Sequence, residues 1–316
     1  MMFFGARKNC DMSVSRPLLS DAMRYCFLLF VSVFVIGISA QASDSPCQRI
    51  ISFAPSITQI VQELGLQRHL VGVSLFDKSV SQEVARVGDL YGMNREALVM
   101  LKPTLVILLQ EHRSFHRLVS DLRIPILSMD HSSVNHIRSS IQSLGRQCEL
   151  ESQAMKILTT LDKKMQNIRE RLISLRKKTL NEVRVLVLIG NPTATHEGIG
   201  RLFLSGKDGF YSEVLSEIGI HSAYLGKTTG LSSFSLEGLM ALNPTHIFHV
   251  IPSSENNSTL TRIEERWRKE FPMLRAVANG SIGASHEPFF LIPGVDYPKV
   301  AEAFANFVVG KTNEQS

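Results

Sequence analysis

One stretch of 14 residues occurs twice in this chain, and the repeat constrains the fold more than any other feature. The first copy runs from Asn94 to Ile107 and the second from Ser235 to Phe248, 141 positions later. Each copy has an N-cap type residue two positions before a Glu, Leu two and five positions after that Glu, and Pro seven positions after it, ahead of an apolar run. This pattern predicts a capped short helix, a proline stop and a buried strand, formed twice.

The wide separation of the two copies predicts two similar lobes and not a repeat array, whose period would be about 20–50 residues. Short apolar strands alternate with helical segments on both sides of the middle of the chain. Such alternation is typical of parallel sheets covered by helices on both faces. We therefore expect an α/β protein of two similar lobes with mostly parallel sheets, and a cleft between the lobes where a ligand binds.

A single long helix is predicted between the lobes. Residues 150–178 contain no Gly and no Pro, and apolar residues recur at steps of three and four from Leu150 to Leu175. This stripe fits one rigid helix of about 29 residues, roughly 43 Å long. It also fits a coiled-coil dimer, because its heptads are regular. The expected domains are a signal peptide at 1–42, a first lobe at 43–149, a linker helix at 150–180 and a second lobe at 181–316.

The first 42 residues are predicted to be a secretion signal. Arg24 precedes an apolar run at 25–38, and residues 39–42 read Ser-Ala-Gln-Ala, which fits an A-x-A cleavage site. The run is short for a membrane span, which needs about 20 residues, and an uncleaved anchor is the alternative. Neither neighbouring cysteine follows the small residues that a lipoprotein cleavage site requires. We expect cleavage after Ala42 and a periplasmic protein without a lipid anchor.

Two cysteines, Cys47 and Cys148, remain after the leader is removed. An even pair in an oxidising compartment predicts a disulfide, with two separately buried thiols as the alternative. The net charge falls from +5 to +3, because the leader carries four basic and two acidic residues. No basic stripe interleaved with aromatic residues is present, so the composition does not favour a nucleic-acid partner.

Catalytic motifs are missing from the sequence. The chain contains no Gly-x-Ser-x-Gly elbow, no phosphate-binding glycine loop and no His-Glu-x-x-His zinc motif. We therefore expect neither enzymatic activity nor a cofactor, and an enzyme hypothesis rests on the cleft alone. His246 and His249 lie three positions apart on a predicted strand, and hence on opposite faces, so they are not a metal pair. Trp267, within an amphipathic helical segment, is expected in the core.

Five segments of the chain share the pattern of one family. They are 49–60 (Arg-Ile-Ile-Ser-Phe-Ala-Pro-Ser-Ile-Thr-Gln-Ile), Leu64-Gly65 followed by 70–73, Val87-Gly88, the Glu96 helix with Leu101-Lys102-Pro103, and 205–219. Together they resemble the helical-backbone periplasmic binding proteins, which carry ferric siderophores, cobalamin or haem to ABC importers. The resemblance covers most of residues 48–310. It implies two α/β lobes joined by one long helix, a monomer that binds a small-molecule metal chelate, and the transmembrane subunits of an ABC importer as partner.

The resemblance also gives Glu96 and Glu237 a role, because acids at these two motif positions dock onto arginines of the paired membrane subunits. One carboxylate per lobe suits a two-fold transporter. A plainer explanation exists for each residue alone. A Glu in the first turn of a helix stabilises the helix through its dipole by about 0.3–1 kcal/mol.

The cleft is expected to be lined by loops at the carboxyl ends of the strands. Aromatic and basic side chains there suit a flat, partly anionic metal chelate. The predicted solute-binding residues are Ser56, Phe76, Tyr91, Glu111, His112, Arg113, Arg201, His286, Phe289 and Phe290. Core packing is the alternative for Phe76 and Tyr91. For the two arginines the alternative is a solvated surface position.

The bound solute is expected to be a ferric siderophore. Relatives that bind cobalamin present several large aromatic residues at the cleft mouth, whereas Leu90 and Leu109 fall near such positions here. Haem relatives use a Tyr or His axial ligand, and His112, His196 and His286 are the candidates. Cobalamin and haem are the alternative solutes. A free-standing sequestration or sensor protein without a membrane partner is the alternative role.

Overall fold

The computed structural model describes seven stretches of the chain. They are residues 46–176, 180–192, 203–206, 209–226, 231–233, 236–252 and 260–310. The predicted signal peptide lies outside them. The described stretches belong to one compact unit, Ser45–Ser316, and contain two separate β-sheets. Within these stretches, none of the helices combines the length and the apolar character needed to cross a membrane.

The first lobe is built on a five-stranded sheet in the order β3-β2-β1-β4-β5, with every neighbouring pair parallel. Helices alternate with the strands along the chain, as the sequence predicts, except that β3 follows β2 with no helix between them. The elements are β1 (Ile50–Ser52), α1 (Pro55–Glu63), β2 (Leu70–Val73), β3 (Ala85–Arg86), α2 (Arg95–Leu101), β4 (Leu105–Leu109), α3 (Arg113–Asp121), β5 (Ile126–Met129) and α4 (Val134–Gln147).

The second lobe has a six-stranded sheet in the order β11-β10-β6-β7-β9, with β8 also paired to β6. Among the described strands of this sheet, the pairs β6–β7 and β7–β9 are antiparallel, and the other three pairs are parallel. The expectation of two mostly parallel sheets is therefore confirmed. The elements are β6 (Arg184–Ile189), β7 (Phe203–Ser205), α6 (Phe210–Glu217), β8 (His221–Ser222), β9 (Leu231–Ser233), α7 (Leu236–Leu242), β10 (His246–Val250), α8 (Leu260–Glu270), α9 (Arg275–Ala278), β11 (Ile282–Ser285) and α10 (Tyr297–Val309).

One helix, α5 (Glu151–Arg176), joins the lobes without a break. At 1.5 Å per residue it spans about 39 Å. Its apolar stripe from Ala154 to Leu172 is buried in a cluster that contains side chains of both lobes. The coiled-coil alternative is therefore excluded, because a dimer would need the same residues to be free.

The duplicated sequence unit folds the same way in both lobes. α2 leads into β4 and α7 leads into β10, at the same offset of 141 positions. The residues after these helices, Lys102 and Asn243, both have a left-handed backbone, with φ of 44° and 36°. Leu98 and Leu239 are fully buried beneath the two helices. The prediction of two matched helix–strand units is confirmed.

A threonine after each proline clamps the start of a neighbouring strand. The hydroxyl of Thr104 accepts the backbone N–H of Arg49 at 3.0 Å, and that of Thr245 accepts the backbone N–H of Arg184 at 2.7 Å. Each hydroxyl also donates to the carbonyl of the same arginine. The clamp sets β4 beside β1 and β10 beside β6, and no local sequence pattern predicts it.

The two faces of each sheet have different neighbours. α1, α4, α6 and α10 share one continuous core with α5. α2 packs with α3 on the opposite face of the first sheet, and α7 packs with α8 on the opposite face of the second. The duplicated helices α2 and α7 therefore lie on the faces turned away from α5.

Cys47 and Cys148 form a disulfide, as predicted. Their Cα atoms lie 5.5 Å apart, and both residues are buried. The bond joins the residues before β1 to the end of α4, just ahead of α5. It closes the first lobe covalently, and the alternative of two separate thiols is wrong.

Trp267 is fully buried in the second lobe, as expected. Its indole N–H donates to Nε2 of His249 at 2.8 Å, and burial lowers the pKa of that histidine to about 4. His246 instead packs against Phe307 on the other side of the sheet. The two histidines thus lie on opposite faces of β10, as predicted.

Candidate functional site

The carboxyl edges of the two sheets meet at a polar junction. The amide of Gln59 in α1 donates to Asp296, which precedes α10, at 3.3 Å. The backbone N–H of Asn135 in α4 donates to Glu213 in α6 at 3.2 Å. These helices have their amino ends at the carboxyl edges of the sheets, so the two edges face each other. Ligand clefts of α/β proteins open at such edges, so the residues around this junction are the candidate site.

Ser56 and His131 are buried in the junction. Nδ1 of His131 lies 2.8 Å from the hydroxyl of Ser56. Gly294 of the second lobe packs so closely that an added Cβ would lie 3.3 Å from the Cβ of Ser56. Burial lowers the pKa of His131 to about 4, against the opposing effects of Asp130 and a backbone hydrogen bond with Pro293. The structure thus places Ser56 in the contact between lobes, and not on the open cleft lining predicted from the sequence.

Arg138 connects both lobes to α5. Its guanidinium pairs with Asp162 in α5 and donates to the hydroxyl of Tyr297 in α10 at 3.2 Å. Burial raises the pKa of Tyr297 to about 12 even though the guanidinium opposes it. Because one side chain of α4 holds both α5 and α10, the geometry favours a stiff pair of lobes.

Four exposed apolar side chains gather at the carboxyl edge of the first lobe. They are Leu75 (53% exposed), Phe76 (64%), Leu90 (51%) and Tyr91 (89%). The segments that carry them are adjacent, since the backbone N–H of Leu75 donates to the carbonyl of Gly88 at 2.7 Å. Clusters of exposed apolar groups are typical of binding surfaces, so these residues are candidates for one. The core-packing alternative for Phe76 and Tyr91 is therefore wrong.

A tight turn holds Tyr91 outward. Oδ1 of Asp89 accepts the backbone N–H groups of Tyr91 at 2.8 Å and of Gly92 at 3.0 Å, which is an Asx turn. Gly88 has a φ of 138°, and a Cβ there would lie 2.1 Å from the carbonyl oxygen of Gly92. Only glycine fits at that position, so the local sequence itself directs the tyrosine into solvent.

A second turn positions Phe76. The next residue, Asp77, is buried, and its Oδ1 accepts the backbone N–H of Ser79 at 2.9 Å and the hydroxyl of Ser79 at 2.6 Å. The buried carboxylate fixes the turn after β2. The aromatic ring beside it is thereby left exposed at the cleft edge.

The segment after β4 carries Glu111, His112 and Arg113. Glu111 and Arg113 are exposed, whereas His112 is buried and packs edge-on against Phe53, with ring centroids 5.1 Å apart. Burial lowers the pKa of His112 in spite of the neighbouring Glu111. Its Nδ1 accepts the backbone N–H of Leu109 at 3.2 Å. The neutral imidazole therefore carries its proton on Nε2 and has no free lone pair for an iron ion.

The second lobe places His286 and Phe289 at half-buried positions after β11. Phe290 is fully buried and packs against Phe248, with ring centroids 5.3 Å apart. The structure therefore corrects the assignment of Phe290 from the cleft lining to the core. The sequence could not separate two adjacent phenylalanines in a short turn, because neither helical nor strand periodicity applies there.

Two predicted candidates, Arg201 and His196, lie outside the described residues. The predicted cleft lining does not include Phe203. This residue is 40% exposed at the start of β7 and pairs with Ile189 at the carboxyl end of β6. The predicted lining also does not include Leu75, which follows β2 and is 53% exposed. In the part of the chain that the structure describes, no group of three or more His, Cys, Asp or Glu side chains is placed to hold a metal ion.

Glu96 and Glu237 occupy equivalent exposed positions in the first turns of α2 and α7. Asn94 caps α2 as predicted, since its side chain accepts the backbone N–H of Ala97 at 3.0 Å. The second predicted cap, Ser235, lies outside the described residues. Each helix leads into the amino end of a strand, so its own amino end points back toward the carboxyl edge of the sheet. One carboxylate therefore stands on each side of the cleft.

Comparisons with known proteins agree with this geometry. An uncharacterised ABC transporter substrate-binding lipoprotein of Bacillus subtilis is 27% identical over 207 residues. The match covers 63% of this chain and 62% of that protein, so it spans less than two thirds of the relative's length. A vitamin B12-binding protein of Pectobacterium atrosepticum is 22% identical over 229 residues, covering 71% of this chain and 78% of that one.

Among solved structures, the siderophore-binding protein of Vibrio cholerae with bound Fe3+–Desferal has the same fold. Its TM-score is 0.66 at 18% identity, and the match covers 84% of this chain and 99% of that one. Residues 50–286 match the periplasmic binding protein family. This match takes in both sheets and the helix between them, and the chain belongs to the periplasmic binding protein family.

Proposed function

We propose that this protein is the extracytoplasmic solute receptor of an ABC importer, and that it captures a metal chelate without turning it over. The observation that carries the proposal is the pair of matched lobes, with facing carboxyl edges, held by one unbroken helix. The Bacillus subtilis relative, named as an ABC transporter substrate-binding protein, supports this role. Although that relative is a lipoprotein, the cysteines here do not fit lipidation, so we assign a free periplasmic protein released after Ala42.

A ferric siderophore is the solute we assign to the cleft. The exposed cluster of Leu75, Phe76, Leu90 and Tyr91 offers apolar and aromatic surface to an organic chelate. The exposed charges of Glu111 and Arg113, which follow β4 at the same edge of the sheet, suit its polar groups. The ligand supplies its own iron coordination, so the protein needs no metal-binding side chains.

His112 does not suit haem as an axial ligand, because an axial ligand must offer the iron a lone pair. His112 has its lone-pair nitrogen occupied by a backbone N–H. Cobalamin is the second candidate, since the Pectobacterium relative is named as a vitamin B12-binding protein. Cobalamin needs no protein ligand to its metal in order to be held by apolar contacts, so the exposed first-lobe edge is compatible with it.

Delivery requires docking to the membrane partner, and we assign this docking to Glu96 and Glu237. Both are exposed, and they stand on equivalent helices of the two lobes. A partner built from two equal subunits presents the same surface twice, and the two carboxylates match it. Charge-assisted hydrogen bonds to arginine would hold the complex.

The test is a calorimetric titration of the mature protein with ferrioxamine B, cobalamin and haemin. We expect ferrioxamine B to bind most tightly. The double variant Phe76→Ala/Tyr91→Ala should weaken that binding at least about tenfold, because it removes two exposed aromatic contacts. Met155→Ala, at an exposed position on α5, is the control and should leave the affinity unchanged.

Each outcome decides something about the solute. Preferred binding of cobalamin or haemin would replace the siderophore assignment and keep the receptor role. An unchanged affinity in the aromatic double variant would show that the cargo is held elsewhere. Failure of all three chelates to bind would contradict the assignment of a metal chelate as cargo.

A further inference from the structure

Exposed apolar side chains accompany both docking carboxylates. Val99 lies three residues after Glu96, and Met240 lies three residues after Glu237. These two side chains are 54% and 43% exposed. Residues three apart on a helix are surface neighbours, with Cβ atoms about 5–6 Å apart. Each docking helix therefore offers a carboxylate and an apolar side chain side by side.

The two helices do not need these side chains for packing. Leu98 and Leu239 are fully buried and already join each helix to its sheet. A single exposed apolar residue is ordinary on a protein surface. Exposure at the same position of a duplicated helix, one turn from the same carboxylate, is a repeated arrangement.

The first lobe presents the more apolar of the two surfaces. Met100 follows Val99 and is 79% exposed, whereas Ala241 takes that position in the second lobe. The charge around the carboxylates also differs. Arg95 and Lys102 flank the first-lobe carboxylate in sequence, and uncharged residues stand at both equivalent positions of the second lobe. Neighbouring positive charge therefore offsets the negative charge of Glu237 less than that of Glu96.

We propose that the docking surface is composite, with an apolar contact beside each carboxylate. Its partner is a paired membrane protein that presents two equivalent surfaces, each with a basic side chain and an apolar pocket about 5 Å from it. The first lobe docks mainly through Val99 and Met100, and the second mainly through Glu237. This inference rests on the proposed function, because it names the chemistry of the partner at the same site.

The test compares two matched double variants in binding to the ABC permease–ATPase complex of the same cell, held in lipid nanodiscs. Met100→Gln/Met240→Gln removes one apolar contact from each lobe. Met155→Gln/Leu175→Gln removes two exposed apolar side chains from α5, on the opposite side of both sheets. We expect the first variant to bind at least about tenfold more weakly and the control to bind within about twofold of the parent protein.

Salt separates the apolar contact from the electrostatic one. At high salt the contribution of the carboxylates is screened, whereas burial of the methionines is not. The weakening caused by Met100→Gln/Met240→Gln should therefore persist when sodium chloride is raised, and that caused by Glu96→Lys/Glu237→Lys should shrink. As single variants, Glu237→Lys should weaken binding more than Glu96→Lys. Equal effects would remove the division between the lobes.

The glutamate and methionine variants distinguish the apolar contact from the docking role of the two carboxylates. If the Glu96→Lys/Glu237→Lys variant loses binding while the methionine variant matches its control, the apolar contact is overturned and the docking role stands. If the glutamate variant binds as the parent does, or the parent does not bind the importer, the docking role itself falls. Thermal melting of every variant checks that an altered affinity does not reflect unfolding.

Discussion

The two lobes share a scaffold and differ where that scaffold meets the cleft. Gly65 and Gly219 end α1 and α6 in the same left-handed conformation, with φ of 80° and 81°. In the first lobe Glu96 lies 31 positions after Gly65, whereas in the second lobe Glu237 lies 18 positions after Gly219. The additional first-lobe residues contain β3 and the exposed edge around Tyr91.

The second lobe has its own extension at a different place. Two residues separate β1 from α1, but 20 separate β6 from α6, and β7 with the exposed Phe203 lies among them. Both extensions leave the sheets at their carboxyl edges. The shared unit carries the docking helices and the extensions carry the cleft surface. The two lobes thus match in the docking helices, which face a proposed two-fold partner. They differ in the extensions, which face a proposed cargo without symmetry.

We expect the disulfide to cause the largest difference in stability between the lobes. The bond closes a loop with a sequence separation of 101, and residues 181–316 contain no cysteine. Replacing both partners, Cys47→Ala/Cys148→Ala, should lower the free energy of unfolding by about 2–4 kcal/mol, because the unfolded chain gains loop entropy. Urea denaturation measures this change.

Hydrogen exchange locates the same effect within the molecule. The variant should lose more amide protection in β1 and β4 than in β6 and β10, since only the first lobe is cross-linked. Equal losses in the two sheets would show that the lobes unfold as one unit through the shared core around α5. That result would weaken the description of the lobes as separable halves.

The threonine clamps test how far the equivalence of the lobes extends. Thr104→Val and Thr245→Val keep the side-chain shape but leave the backbone N–H of Arg49 or Arg184 without its partner. We expect losses in the free energy of unfolding of about 1 kcal/mol for the half-buried first site and about 1–3 kcal/mol for the buried second site.

Thr159→Val on α5 is the matched control, because its hydroxyl bonds only to the carbonyl of Met155 within the same exposed helix. It should change the free energy of unfolding by less than about 0.5 kcal/mol. Urea denaturation of the three variants gives the comparison. Clamp variants that behave like this control would show that strand register is set by sheet packing alone.

The scaffold could be predicted because its signals are local. The stripe of α5, the duplicated helix–strand unit and the proline stops each depend on residues close together in sequence. Ser56 could not be placed, because its burial depends on His131 and Gly294, which reach it from distant parts of the chain. The clamps have the same cause, since Thr104 and Arg49 are 55 positions apart.

The cleft lining was only partly predictable for a related reason. Tyr91 is exposed because Gly88 and Asp89 shape its own turn, and glycine and aspartate are turn signals that a sequence displays. His112 and Phe290 follow strands as the exposed candidates do, yet both are buried against aromatic neighbours in the folded lobes. Position after a strand identifies the edge of the sheet, and packing decides which side chains remain free there.

The residues that end the two docking helices give the smallest and sharpest comparison. Lys102 and Asn243 share a left-handed backbone, which costs a lysine about 1 kcal/mol but suits an asparagine. Lys102→Gly should therefore raise the free energy of unfolding by about 0.5–1 kcal/mol. Asn243→Gly should lower it by about 0.5–1.5 kcal/mol, because Oδ1 of Asn243 accepts the backbone N–H of Arg275 at 3.2 Å and glycine cannot replace that bond. Urea denaturation of the two variants should thus give opposite signs at equivalent positions. A gain in both would mean that backbone strain governs both helix ends and that the bond to Arg275 contributes nothing to the second lobe.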